Sequence, residues 1–281
     1  RRLSVCLLWS QELFNNCVRN GRRDKIESSE KRYRKGVLVL MHAVVWAFCL
    51  PLLPVCWLQL KLIQRRLPKI KAPMLPVAWG DNAPTLGAGR RVLGLGDQVI
   101  VPKDGEDSGQ GIMVYCAEAL MRQSDDDVNW QVARQPSATA SDVLATCRAI
   151  DDLNVDLLLI SMGVNDVSGL TSLMRWQASI FDLITLIRQK GAAKIVFWGL
   201  PPMARFEPLP QPLRAVCGIR ARLLDAVLKR SVSGLSFAAH LDFEAGAPAG
   251  TLTDDGYHLT AQVQKALGER AASLSLRLLR V

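Results

Sequence analysis

Asp156-Leu157-Leu158-Leu159-Ile160-Ser161-Met162-Gly163-Val164-Asn165-Asp166 is the stretch whose reading decides the fold. From Leu157 to Met162 only Ser161 is polar, and apolar and polar residues do not alternate. A strand of that composition has both faces covered, as at the centre of a parallel sheet. Gly163 ends the run, and Asn165-Asp166 follow in what reads as a turn. Working outward, short apolar runs alternate with longer amphipathic ones. Strands are expected at 91–96, 129–134, 156–162, 194–200 and 236–243. Helices are expected at 111–122, 141–150, 172–190, 212–229 and 259–279, with Gly191 closing the third. Five alternations of strand and helix call for a parallel sheet with helices on both faces, a three-layer α/β/α architecture.

The formal charge of +9 is unevenly placed. Residues 1–80 hold 15 Lys/Arg against 4 Asp/Glu, whereas the remainder holds 20 against 22. The folded part is close to neutral, so nucleic-acid binding is not expected. Residues 37–58 form a run of 22 almost without polar side chains, His42 being the main exception. At about 1.5 Å per residue such a helix can cross hydrocarbon about 30 Å thick. Pro51 and Pro54 would kink it, which membrane helices tolerate. Lys31, Arg32, Arg34 and Lys35 precede the run, and Lys61, Arg65, Arg66, Lys69 and Lys71 follow it. No small-residue cleavage site comes directly after, so a single-pass transmembrane anchor is expected rather than a cleaved leader. Basic residues flank both ends, which leaves the side of the domain open.

The organisation expected is therefore a basic, disordered segment at 1–36, an anchor at 37–58, a Pro-rich linker at 59–89 and a domain at 90–281. Cys116, Cys147 and Cys217 are widely spaced within the domain and read as buried thiols, not as a disulfide framework or a zinc site. No metal or cofactor is expected. Leu95-Gly96-Asp97 lacks the G-x-G-x-x-G spacing of a dinucleotide site.

In parallel sheets reactive groups gather at the carboxyl ends of the strands. That rule selects Gly96-Asp97-Gln98, Gln135-Pro136-Ser137-Ala138-Thr139, Gly163-Val164-Asn165-Asp166 and Thr253-Asp254-Asp255-Gly256-Tyr257-His258. In the last, Asp255 stands three residues before His258 at the mouth of a helix. Its carboxylate can accept from one ring nitrogen and leave the other facing outward as a general base. Asp97 reads as a structural acceptor in its turn, and His240 as a core or edge residue in an apolar strand. The position where a nucleophile belongs holds Gln98.

These segments resemble the SGNH (GDSL-type) hydrolase family from Arg90 to the C-terminus. Gly163-Val164-Asn165-Asp166 matches the third family block and Asp255-Gly256-Tyr257-His258 the last. The first block departs, with Gln98 where the family has serine. In the second, Ser137 stands where the family has glycine. The resemblance implies a flavodoxin-like fold that cleaves esters, thioesters and acyl groups on carbohydrates or lipids. It further implies that His258 deprotonates a first-block serine while Asp255 fixes the ring. The oxyanion would be held by backbone N–H groups of the first and second blocks, here at Gln98 and Ser137, and by the Asn165 amide. A glutamine carboxamide cannot form the acyl intermediate. The chain is thus expected to be an impaired or silent hydrolase binding a small acyl, lipid or glycan ester at a membrane. The competing expectation is hydrolysis by water activated at His258, or by a relocated nucleophile at Ser137. Ligand choice would lie with the loops at 102–111 and 201–212.

Overall fold

The computed structural model, in which residues 40, 44–66, 89–96, 111–134, 137–150, 153–243 and 259–280 are described, places five strands in one sheet. They are β1 (Arg90–Gly96), β2 (Val128–Arg134), β3 (Leu157–Ser161), β4 (Lys194–Trp198) and β5 (Ala238–Leu241). Their order is β2-β1-β3-β4-β5, and every neighbouring pair is parallel. The chain starts near the middle, winds one way to β2, then crosses back over β1 to β3, β4 and β5. That reversal opens a crevice at the carboxyl ends of β1 and β3.

All five residues of β3 are buried, which is why its sequence is apolar up to the closing Ser161. On one face Val92, Leu157, Leu159, Val196, Trp198 and Leu241 pack against α2 (Ile112–Ser124) and α7 (Ala261–Leu279). The other face is covered by α3 (Ala140–Ala149), α5 (Leu173–Gln189) and α6 (Leu213–Val232). There Trp176 of α5 is fully buried and donates from Nε1 to the Leu224 carbonyl of α6 at 3.0 Å. Burying a large apolar side chain contributes about 1.5–3 kcal/mol, and the indole hydrogen bond keeps its one polar atom satisfied.

The expected elements are present, displaced by a few residues at their ends. β5 is shorter than the expected 236–243, because the edge strand pairs only through Ala238–Leu241. A short helix, α4 (Val164–Ser168), occupies the place read as a turn. The N-terminal helix also differs. Residues 44–49 are helical, a 3-10 turn at Leu50–Leu52 follows, and α1 (Leu53–Arg66) continues through residues assigned to the linker. Residues 59–66 contain only good helix formers, and the first proline stands beyond them at 68. Within this helix Val44–Ile63 is long and apolar enough to cross a membrane. Helix and domain fall in one unit, Met41–Val281. The segment at 1–36 and the rest of the linker, 67–88, lie outside the described residues.

Candidate functional site

Gly96 ends β1 opposite Ser161, the last residue of β3. Its φ is 131°, and a Cβ there would lie 1.8 Å from the Ser161 carbonyl oxygen. No side chain fits, so the glycine opening the first block is required by the neighbouring strand and not by the chemistry that follows it. Gly163 makes a similar exit from β3, with φ 113° and the Leu200 side chain 3.0 Å from where a Cβ would stand. Both strands thus end in conformations that glycine adopts freely.

The second and third blocks are clamped together. Asn165 donates from Nδ2 to the Ala138 carbonyl at 3.1 Å, and Asp166 accepts the Ala140 backbone N–H on Oδ2 at 2.9 Å. Two consecutive residues of α4 therefore grip the loop on either side of Thr139. Thr139 in turn starts α3 with a capping box shared with Asp142. Ser137, ahead of the clamp, is exposed and holds φ at 60°, in the left-handed region. That conformation costs a side-chain-bearing residue about 1–2 kcal/mol and a glycine almost nothing. The backbone bend proper to glycine is kept although serine occupies it.

Behind the clamp lie two buried charged side chains that the sequence did not announce. Asp166 is completely buried, and Arg220 of α6 is 3% exposed. Burial raises the Asp166 carboxyl above its ordinary range, opposed by hydrogen bonds from Thr171 and Ala140 and by the Arg220 charge. Burial likewise lowers the Arg220 guanidinium, with Asp166 opposing. Arg220 donates to the Thr171 carbonyl, and its guanidinium carbon lies 4.7 Å from the centre of the Trp46 ring on the N-terminal helix. Burying a charge is costly unless it is compensated, and the opposite signs of this guanidinium and this carboxylate offset part of that cost.

His240, expected in the core or at an edge, is on the edge strand β5 with its side chain 4% exposed. Its Nε2 is 2.8 Å from Asp225 Oδ1, and the same oxygen accepts the Leu200 backbone N–H at 2.9 Å. This Asp–His pair ties the start of the 201–212 loop to α6. No local pattern in the sequence pointed to it, because its partners come from a helix and a strand with a turn between them.

Of the site residues expected from sequence, the structure brings Ser137 and Asn165 to the carboxyl edge beside the end of β1. Asp97, Gln98, Asp255 and His258 lie outside the described residues, as does the loop at 102–110. Leu259, the next residue after His258, packs against the core at the start of α7. Cys116, Cys147 and Cys217 are buried free thiols. Burial pushes the first two up to about 12 and the third up to about 11. A surface hollow lined by Gln123, Ser273, Leu276, Arg277 and Arg280 sits at the C-terminal ends of α2 and α7, remote from the clamp.

A parallel sheet in this order, with a Gly-x-Asn-Asp turn gripping a second loop at its carboxyl edge, defines the SGNH class of hydrolase folds. The GDSL-like lipase/acylhydrolase family model matches residues 92–266, and the chain belongs to that family. A lipolytic G-D-S-L family protein from Veillonella parvula superposes with a TM-score of 0.53 at 14% identity, covering 67% of this chain and 100% of that one. The carbohydrate acetylesterase Est24 from Sinorhizobium meliloti does so with 0.50 at 18% identity, over 67% and 99%. The lipase Lip_vut3 from a goat rumen metagenome gives 0.52 at 13% identity, over 66% and 96%. At these identities the likeness speaks for the fold. No curated protein sequence matches the chain.

Proposed function

We propose that this chain is a membrane-anchored GDSL-family domain that binds an acyl, lipid or glycan ester in its crevice without turning it over at an enzymatic rate. The observation that carries this reading is Gln98. The family scaffold is present around the first block, down to a Gly96 that admits no side chain, yet the residue two places on has a carboxamide instead of a hydroxyl. In a comparable serine hydrolase, losing the nucleophile costs on the order of a millionfold in rate. The remaining machinery would be a retained ligand cradle. Asn165 and the Ser137 backbone N–H would hold the ester oxygen, with His258 oriented by Asp255 on the far side. Asp97 would brace the first turn. The Val44–Ile63 helix supports anchoring by its length and apolarity.

The full chain, reconstituted in lipid vesicles, is assayed on short-chain nitrophenyl esters beside Gln98→Ser and the double variant Gln98→Ser/His258→Ala. The expected result is background turnover for the unaltered chain, a gain of at least about 100-fold for Gln98→Ser, and its loss in the double variant. Turnover by the unaltered chain that His258→Ala abolishes would refute the silent reading. Labelling of the unaltered chain by a fluorophosphonate that disappears in Ser137→Ala would refute it in favour of a relocated nucleophile.

A further inference from the structure

We infer that the N-terminal helix lies in the plane of one membrane leaflet, seated on the domain along one side and on lipid along the other, instead of crossing the bilayer. This rests on the membrane-anchor reading above and specifies how the anchor works. The buried side of the helix is a narrow seam. Cys49 and Cys56 are buried, Trp46, Leu53, Leu60 and Ile63 are half-buried, and these six positions step by three and four residues. That is the spacing of a helix packed against one partner.

The partner is α6 and the loop entering it. Gln59 Nε2 donates to the Gln211 carbonyl at 2.7 Å, while Gln59 Oε1 accepts the Leu213 backbone N–H at 3.2 Å. One side chain thus satisfies an orphan donor in the first turn of α6 and a carbonyl of the loop before it. Along the seam α1 and α6 pack directly against each other. At the other end of the seam the Trp46 ring covers Arg220 at 4.7 Å.

The domain therefore touches the helix at both Trp46 and Gln59, thirteen residues and roughly 20 Å apart. A helix crossing hydrocarbon about 30 Å thick can offer only one end to a water-borne domain. Contact at both ends would draw the N-terminal part of α6, with Arg214 and Arg220, into the bilayer, where charged groups are strongly disfavoured. An in-plane helix avoids that conflict. Its outward side is apolar at Val44, Val45, Phe48, Leu52, Val55, Trp57, Leu58 and Leu62, all between 41% and 79% exposed. Lys61 is exposed beside them, and residues 1–80 carry 15 Lys/Arg against 4 Asp/Glu, a complement to anionic headgroups. Because Gln59 holds the entry to α6, which is also the end of the 201–212 loop, the leaflet surface lies beside the carboxyl edge of the sheet.

The test uses the full chain in sealed vesicles of phosphatidylethanolamine and phosphatidylglycerol, with different epitope tags on its two ends. Both tags are expected on the same side, removed together by added protease. Nitroxides at Phe48→Cys and Leu62→Cys, with Cys6 and Cys17 changed to serine, are expected at equal depth. Tags on opposite sides, or labels separated in depth by about the 20 Å that fourteen helical residues span, would overturn the in-plane arrangement while leaving the anchor intact. A chain that floats free of vesicles as a monomer or dimer would overturn the anchor reading itself.

Discussion

Asp166 accepts the backbone N–H of Ala140 at 2.9 Å, so the third family block caps the helix that follows the second. The contact is completely buried on the carboxylate side, and Arg220 stands behind it. The loop at 138–140 is therefore fixed from below by a buried carboxylate, independently of what occupies the nucleophile position.

Replacing Asp166 by alanine leaves the Ala140 N–H without its acceptor and removes the negative charge that opposes the lowering of the buried Arg220 guanidinium. A loss of about 1–3 kcal/mol is expected from leaving that buried donor unsatisfied, seen as a lower urea midpoint with unchanged slope. The double variant Asp166→Leu/Arg220→Met should lose less than the sum of the single ones. Additive losses would show that the two side chains are not coupled.

A methyl group at position 96 would meet the Ser161 carbonyl 1.8 Å away, on rigid backbone. Gly96→Ala should cost more than about 4 kcal/mol, in the range reserved for severe core or backbone clashes, and should give little soluble protein. Recovery of a folded Gly96→Ala chain with an ordinary melting temperature would contradict the register of β1 on β3.

Ser137 keeps a left-handed backbone at φ 60°. Ser137→Gly relieves that strain but loosens the unfolded chain, and the two nearly offset, for a net gain of about 0.5 kcal/mol. Thermal unfolding should show a small rise in midpoint. A fall of several degrees would mean that the serine side chain makes a stabilising contact in the loop.

The three domain thiols set an alkaline limit. Their folded values of about 12, 12 and 11 lie above the ordinary 9.0. Below pH 9 the thiols are protonated in both states and add no pH dependence. Between pH 9 and about 12 the unfolded chain releases these protons while the folded chain retains them, so stability falls as pH rises. Urea midpoints should drop steadily above pH 9, less steeply in Cys116→Ala. At neutral pH the same thiols should resist iodoacetamide until urea unfolds the chain. Rapid alkylation of the native protein would show that they are reachable.

Much of the architecture was legible from local patterns. Residues 157–160 are apolar because both faces of β3 are covered, and that alone placed a central parallel strand. The glycines at 96 and 163 marked strand exits, since only glycine tolerates those backbone angles against the neighbouring groups. Asn165, read as a turn residue, lies in a short helix and donates its amide to the Ala138 carbonyl. The segment after Leu58 was misassigned as linker because its charges masked an unbroken run of helix formers.

Periodicity and composition thus determined the strand and helix alternation, the apolar N-terminal segment and the departure at Gln98. Only the folded chain decided which distant groups meet. Asp166 finds Ala140 across 26 residues, His240 finds Asp225 across 15, and Gln59 finds Leu213 across 154. The physical reason is that a side chain's nearest neighbours in sequence set its local conformation, whereas strand order and helix packing set its hydrogen-bond partners. A buried carboxylate, a covered guanidinium and a helix seated on its own domain are properties of that packing, and no spacing along the chain encodes them.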